Sequence, residues 1–112
     1  MAIIKVSPEA RNDLLDIKEY ISLELNNPTA ALNMVSSITK AISTLVDFPD
    51  MGTPLSSKVD ILTNYRFLVC GSYLVFYRHE EGAVNIVRVL YGRRDYMKIL
   101  FGDLPEDDQA IM

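Results

Sequence analysis

The apolar residues of this chain change period once, and that change limits the folds open to it. Between Ala10 and Leu45 they recur every three or four positions, the spacing that lines one face of a helix, whereas from Tyr65 to Tyr91 they recur every two, the spacing of a half-buried strand. Ala10, Leu14, Ile17, Ile21 and Leu25 form one helical stripe, with Asp13, Asp16, Lys18 and Glu19 assigned to the opposite, solvent face. Ala31, Val35, Ile38, Ile42 and Leu45 form a second stripe. Two amphipathic helices followed by a run of strands predict an α+β domain with the helices packed on one face of a sheet.

The punctuation sets the boundaries. Ala2-Ile3-Ile4-Lys5-Val6 is a short β-branched run that stops at Ser7-Pro8, where Ser7 suits a helix N-cap and Pro8 the first helical position. Asn26-Asn27-Pro28 ends the first helix and caps the second, which stops near Phe48-Pro49; so short a link predicts an antiparallel αα-hairpin. Residues 49–64, with Pro49, Gly52 and Pro54, are expected to be a loop. Tyr65–Cys70, Tyr73–Arg78 and Val84–Tyr91 are then three strands of an antiparallel meander, joined by Gly71-Ser72 and by His79-Glu80-Glu81-Gly82. Asp95 is placed to cap a brief helix that Gly102 terminates, and residues 103–112 are expected to form an acidic, flexible tail after a single domain over 1–102.

Composition excludes several classes of function. Hydrophobic residues at 49% and charged residues at 23% of 112 positions suit one globular core. Cys70 is the only cysteine and His79 the only histidine, so neither an internal disulfide nor a four-ligand zinc site is expected, and a reducing, cytoplasmic setting fits. No apolar run approaches the roughly 18 residues of a membrane span. Glycine-rich phosphate loops and nucleophile or metalloprotease motifs are absent, and no cofactor is expected. The net charge of −4 argues against nucleic acid only as a sum: residues 1–60 carry five basic and eight acidic side chains, residues 61–100 six and three, and residues 101–112 none and four.

Five of the six arginines, Arg66, Arg78, Arg88, Arg93 and Arg94, fall in that basic segment, and a guanidinium fork suits phosphate or carboxylate. Strand alternation puts Arg88 on one face with Val84, Ile86 and Leu90, so its expected role is structural, paired with Asp95 or with a helix carboxylate. Arg93 and Arg94 follow Gly92 at the end of the sheet, where side chains are available for binding. His79 is expected in an exposed turn, the sheet tyrosines in packing, and Cys70 as a structural thiol.

Val6-Ser7-Pro8-Glu9-Ala10, Asp13-Leu14, Tyr20-Ile21, Phe48-Pro49-Asp50-Met51-Gly52, Tyr65-Arg66, Tyr73-Leu74-Val75-Phe76-Tyr77-Arg78 and Ile86-Val87-Arg88-Val89-Leu90-Tyr91-Gly92-Arg93-Arg94-Asp95, in that order, resemble the RelE/ParE toxin superfamily over residues 3–100. The resemblance implies the toxin half of a type II toxin–antitoxin module, also called a plasmid stabilisation protein, with a small antitoxin as partner. Relative to the RelE-like ribosome-dependent mRNA endonucleases, Arg66 and Arg94 match basic positions and Tyr96 lies one turn before the expected tyrosine, whereas Leu68, Leu74 and Leu100 replace polar ones. Arg66, Arg94 and Tyr96 are the catalytic candidates on that reading. The ParE-like branch, which inhibits DNA gyrase without a cleavage centre, is the closer resemblance, with Arg66, Arg78, Arg93 and Arg94 as candidates for target or antitoxin binding. A degenerate toxin that only binds its antitoxin is a further alternative.

Overall fold

A computed structural model describes residues 1–60 and 62–102; the expected acidic tail lies outside the described residues. The chain runs β1 (Ile3–Val6), α1 (Pro8–Glu19), α2 (Pro28–Thr44), β2 (Thr53–Pro54), β3 (Tyr65–Cys70), β4 (Tyr73–Glu80), β5 (Ala83–Tyr91) and α3 (Tyr96–Phe101). The strands form one sheet in the order β1-β5-β4-β3-β2, in which β1 lies parallel to β5 and the other pairs are antiparallel. The meander is as expected, and the segment assigned to loop contains one further strand. At two residues β2 is too short to show a period, and as an edge strand it tolerates Pro54, which has no N–H to donate.

Both helices begin as their sequences require. The Ser7 hydroxyl accepts from the N–H of Ala10 at 3.0 Å and the Asn27 side chain from that of Ala30 at 3.0 Å. Their apolar stripes pack against Val75, Tyr77, Val84, Ile86 and Val89 of the sheet, while Leu55, Phe67, Phe76 and Leu90 on the other face meet α3. The fold therefore has two small cores separated by the sheet.

Three expectations are corrected. The turn between β4 and β5 is only Glu81-Gly82, both at positive φ (51° and 77°), the pattern of a tight two-residue hairpin, so His79 and Glu80 belong to β4. Second, the pairing shifts at Phe76/Tyr77, where Phe76 faces Arg88 and Tyr77 faces Ile86, leaving Val87 as the extra residue of a β-bulge. The bulge reverses the alternation: Val84 and Ile86 share the helical core with Val89, while Leu90 enters the core under α3. Third, Asp13 is buried and Leu25 exposed, the reverse of the stripe assignment. Asp13 stands three residues after Ala10 and four before Ile17, on the packed face. Leu25 is turned away because α1 continues into a π-helical turn, Tyr20–Glu24, which adds a residue per turn and rotates the positions after it.

Candidate functional site

β1 ends at Val6, so the edge of β5 opposite β4 has no strand partner beyond Ile86, and the start of α1 supplies the missing partners. The Ser7 hydroxyl donates to the carbonyl of Val87 at 2.8 Å, and Asp13 Oδ2 accepts from the N–H of Val89 at 2.9 Å. The same carboxylate accepts from Arg88 Nε and Nη2 at 2.7 and 2.8 Å. Arg88 thus takes the helix carboxylate rather than Asp95, whose Oδ1 caps α3 by accepting from the N–H of Lys98 at 3.2 Å. The bonds to Asp13 favour the charged guanidinium of Arg88 against the cost of its partial burial.

Arg66 is also committed. Its Nη1 donates to the carbonyls of Asp50 and Gly52 at 3.1 and 2.8 Å, and its Nε lies 3.8 Å from the Asp50 carboxylate. His79 Nδ1 is 2.9 Å from the same carboxylate, and the Gly52 N–H donates to the buried hydroxyl of Tyr77 at 2.9 Å. The hydrogen bond from His79, helped by its charge and that of Arg66, holds the Asp50 carboxyl below its ordinary range. Phe48-Pro49-Asp50-Met51-Gly52 is therefore a segment pinned to the sheet, with Arg66, His79 and Tyr77 as the pins.

The arginines after β5 are differently placed. Arg93 and Arg94 are exposed, and neither side chain has a hydrogen-bond or ion-pair partner among the described residues. Arg94 borders a groove of about 710 Å³ between the hairpin and the end of the sheet, lined also by Tyr20, Ile21, Met34, Tyr73, Tyr91 and Asp16. Tyr73 and Tyr91 meet edge to face with ring centroids 5.9 Å apart, and burial, with Tyr20 and Tyr91 nearby, raises the pKa of Tyr73 and keeps its phenol neutral. An open groove with apolar walls, phenolic hydroxyls, the Asp16 carboxylate and one unpaired guanidinium offers apolar, hydrogen-bonding and charged contacts to a protein segment.

These positions do not converge on one reacting atom. Arg66 pairs with Tyr77, whereas Tyr91, which precedes Arg94, pairs with Tyr73; the two arginines are separated by about 13 Å of strand before the Gly92 turn is added. Tyr96 packs against Phe76, centroids 5.2 Å apart, on the face opposite the hairpin. Leu68, Leu74 and Leu100 are packing residues of the two cores. Arg78 on β4 lies over the Tyr65 ring, 5.6 Å from its centroid. Cys70 is buried, and burial raises its thiol pKa. Asp13, expected on the solvent face, is buried, and Tyr20, given no site role by the sequence, is half exposed and borders the groove; each lies three residues from a core position, Ala10 and Ile17, a spacing that could have flagged both.

A family model described as the ParE toxin of the type II toxin–antitoxin system parDE matches residues 4–96. Among solved structures, one titled as the chromosomal ParDE toxin–antitoxin system from P. aeruginosa is similar at a TM-score of 0.66 and 23% identity, covering 81% of this chain and 96% of that one. Comparison with curated protein sequences gives no match. No helix among the described residues is long and apolar enough to cross a membrane.

Proposed function

Because the chain belongs to the ParE toxin family of type II toxin–antitoxin systems, we propose that it arrests growth in the cytoplasm by binding DNA gyrase and that a cognate antitoxin neutralises it. Its target surface is the end of the sheet where Arg93 and Arg94 follow Gly92, together with the groove of Tyr20, Tyr73 and Tyr91. The observation that carries this proposal is the contrast between arginines: Arg66 and Arg88 are consumed by internal hydrogen bonds, while Arg93 and Arg94 have no partner among the described residues. Binding to a large target needs exposed, preformed groups of this kind.

Mechanistically, a toxin of this type acts by occupancy. The hairpin and sheet hold the three tyrosines on a rigid frame, so little ordering cost is incurred on docking, and Arg94 gives a charge contact whose strength rises as the partner excludes water. The spread of Arg66, Arg94 and Tyr96 over separate parts of the molecule supports docking over mRNA cleavage, which requires a base, cations and an acid around one phosphate.

The test is a supercoiling assay with purified toxin and gyrase. Loss of supercoiling or a trapped cleavage complex is expected. Normal supercoiling, with mRNA cut at ribosomal A-site codons on induction, would replace this proposal by the ribonuclease reading.

A further inference from the structure

The groove bordered by Arg94 has two rims of opposite charge. On its hairpin side α1 carries Asp16, and Glu19 and Glu24 adjoin it around an open recess of about 240 Å³ that also includes Tyr20 and Leu23. On its sheet side stands Arg94 with Arg93 beside it in the chain. Asp13 adds nothing to the balance, because Arg88 neutralises it, and the carboxylate of Asp95 is turned to the N–H of Lys98 at the start of α3. Arg11 and Lys18, the basic residues of α1, border neither recess. Three acids thus stand on one side of the cleft and two bases on the other.

The two rims are not joined within the chain. Asp16 and Arg94 border the same groove, yet neither side chain makes an ion pair or a hydrogen bond among the described residues. Asp16 lies only within electrostatic reach of Arg88, whose fork is already held by Asp13. Apolar surface is left uncovered beside these charges: Leu23 is 71% exposed, Leu25 55%, Tyr20 51% and Tyr91 41%. Exposed apolar surface rimmed by polar groups marks a protein interface. A strongly acidic or strongly basic partner would be repelled at one rim, so the groove suits a partner that carries both signs in a matching arrangement.

We infer that this partner is a second copy of the chain. In a twofold interface every contact occurs twice, residue i of one copy on j of the other and j on i, so the surface must complement itself. A surface with an acidic rim and a basic rim does so. A half-turn sets the acidic rim of each copy on the basic rim of its partner, giving two Asp16–Arg94 contacts, and seats the ridge of Tyr20 and Leu23 against Tyr73 and Tyr91 of the other groove. Charge fixes the orientation, while the tyrosines and leucines supply the buried area. The dimer closes the groove, so the chain docks on its target only as a monomer; this masking, though not the dimer, rests on the target surface proposed above.

Sedimentation equilibrium of the full chain, between about 1 and 100 μM, tests the dimer. A monomer–dimer equilibrium is expected, and a monomer throughout would overturn the inference. Arg94→Asp should raise the dimer dissociation constant about tenfold or more, since two attractive contacts become two repulsive ones. Asp16→Lys should do the same, and an equimolar mixture of the two variants should recover the dimer, because each repulsion is then replaced by an attraction. Only reciprocal pairing predicts that recovery. Should Asp16→Lys melt early through its proximity to Arg88, Glu19→Lys on the same rim takes its place in the mixture. Lys40→Glu, on α2 and bordering neither recess, should leave the equilibrium unchanged. Dimerisation indifferent to Arg94→Asp, or weakened by both variants without recovery on mixing, would overturn the interface. Excess gyrase added to labelled wild-type toxin should convert the dimer into a complex with one toxin chain per site, and a dimer bound intact would overturn the masking. Gyrase that binds neither form removes the target reading and leaves the dimer standing.

Discussion

Asp13 on α1 and Arg88 on β5, 75 residues apart, form a side-on bidentate pair in which the same carboxylate also takes the backbone N–H of Val89. One side chain thereby closes the open edge of β5, holds the bulge beside it and fixes the hairpin to the sheet. Asp13→Ala would leave a largely buried guanidinium and a buried N–H unpaired, at a cost of about 3 kcal/mol. In a domain of this size that corresponds to a fall in melting temperature of roughly 10–20 °C. Calorimetry checks it; an unchanged midpoint for both Asp13→Ala and Arg88→Ala would contradict the role given to the pair.

Gly52 is required by contact. A Cβ there would lie 2.6 Å from the Tyr77 hydroxyl, 2.7 Å from its ring and 2.9 Å from the carbonyl of Phe67. Gly52→Ala is expected to destabilise by about 1–3 kcal/mol in denaturant unfolding. Tyr77→Phe should cost a similar amount, since the Gly52 N–H loses its acceptor. It should not rescue Gly52→Ala, because the ring carbon remains in place.

Asp50 gives the fold a sensitivity to acid. Its carboxyl is held below the ordinary value of 3.8, first by the hydrogen bond from His79, so the folded state binds that proton less readily than the unfolded chain. The stabilisation is present above pH 3.8 and is lost as pH falls through the lower folded value. Urea midpoints measured between about pH 6 and pH 3 should drop less steeply for Asp50→Asn than for the wild type; parallel curves would rule the contribution out.

Cys70 has the opposite sign. Burial raises its thiol above 9.0, so the unfolded chain ionises first and stability declines as pH rises past 9.0 until the folded thiol also ionises. Cys70→Ala should flatten that alkaline decline. In the native protein the thiol should react with aromatic disulfide reagents only after denaturant is added, and rapid native labelling would contradict its burial.

Arg94 separates function from stability. With its side chain exposed and unpartnered among the described residues, Arg94→Ala should shift the unfolding free energy by no more than about 0.5 kcal/mol. Growth arrest on induction is expected to disappear. Full toxicity of a folded Arg94→Ala variant would remove the tyrosine groove from the target surface.

The helices, the meander and the caps Ser7, Asn27 and Asp95 were legible because each depends on neighbours within a few residues. β2 was not: Thr53-Pro54 is strand only because Phe67 and Arg66 lie beside it. The same limit applied to the arginines. Local pattern placed Arg66, Arg78, Arg88, Arg93 and Arg94 in one basic segment, while the partners that distinguish them, Asp13, Asp50, Gly52 and Tyr65, come from elsewhere in the chain.

By itself, the sequence determined the class of fold and the location of the positive charge, since hydrophobic period and charge segregation are properties of residues close in the chain. Tertiary structure alone decided which charges are spent. A single bulge at Val87 reversed the faces of β5 and sent Leu90 into the core under α3, a π-turn at Tyr20–Glu24 turned Leu25 outward while Tyr20 lines the groove, and strand register aligned Lys5, Asn85 and Arg78. One-residue irregularities of this kind leave almost no trace in composition or period, yet a shift of one position exchanges the two faces of a strand.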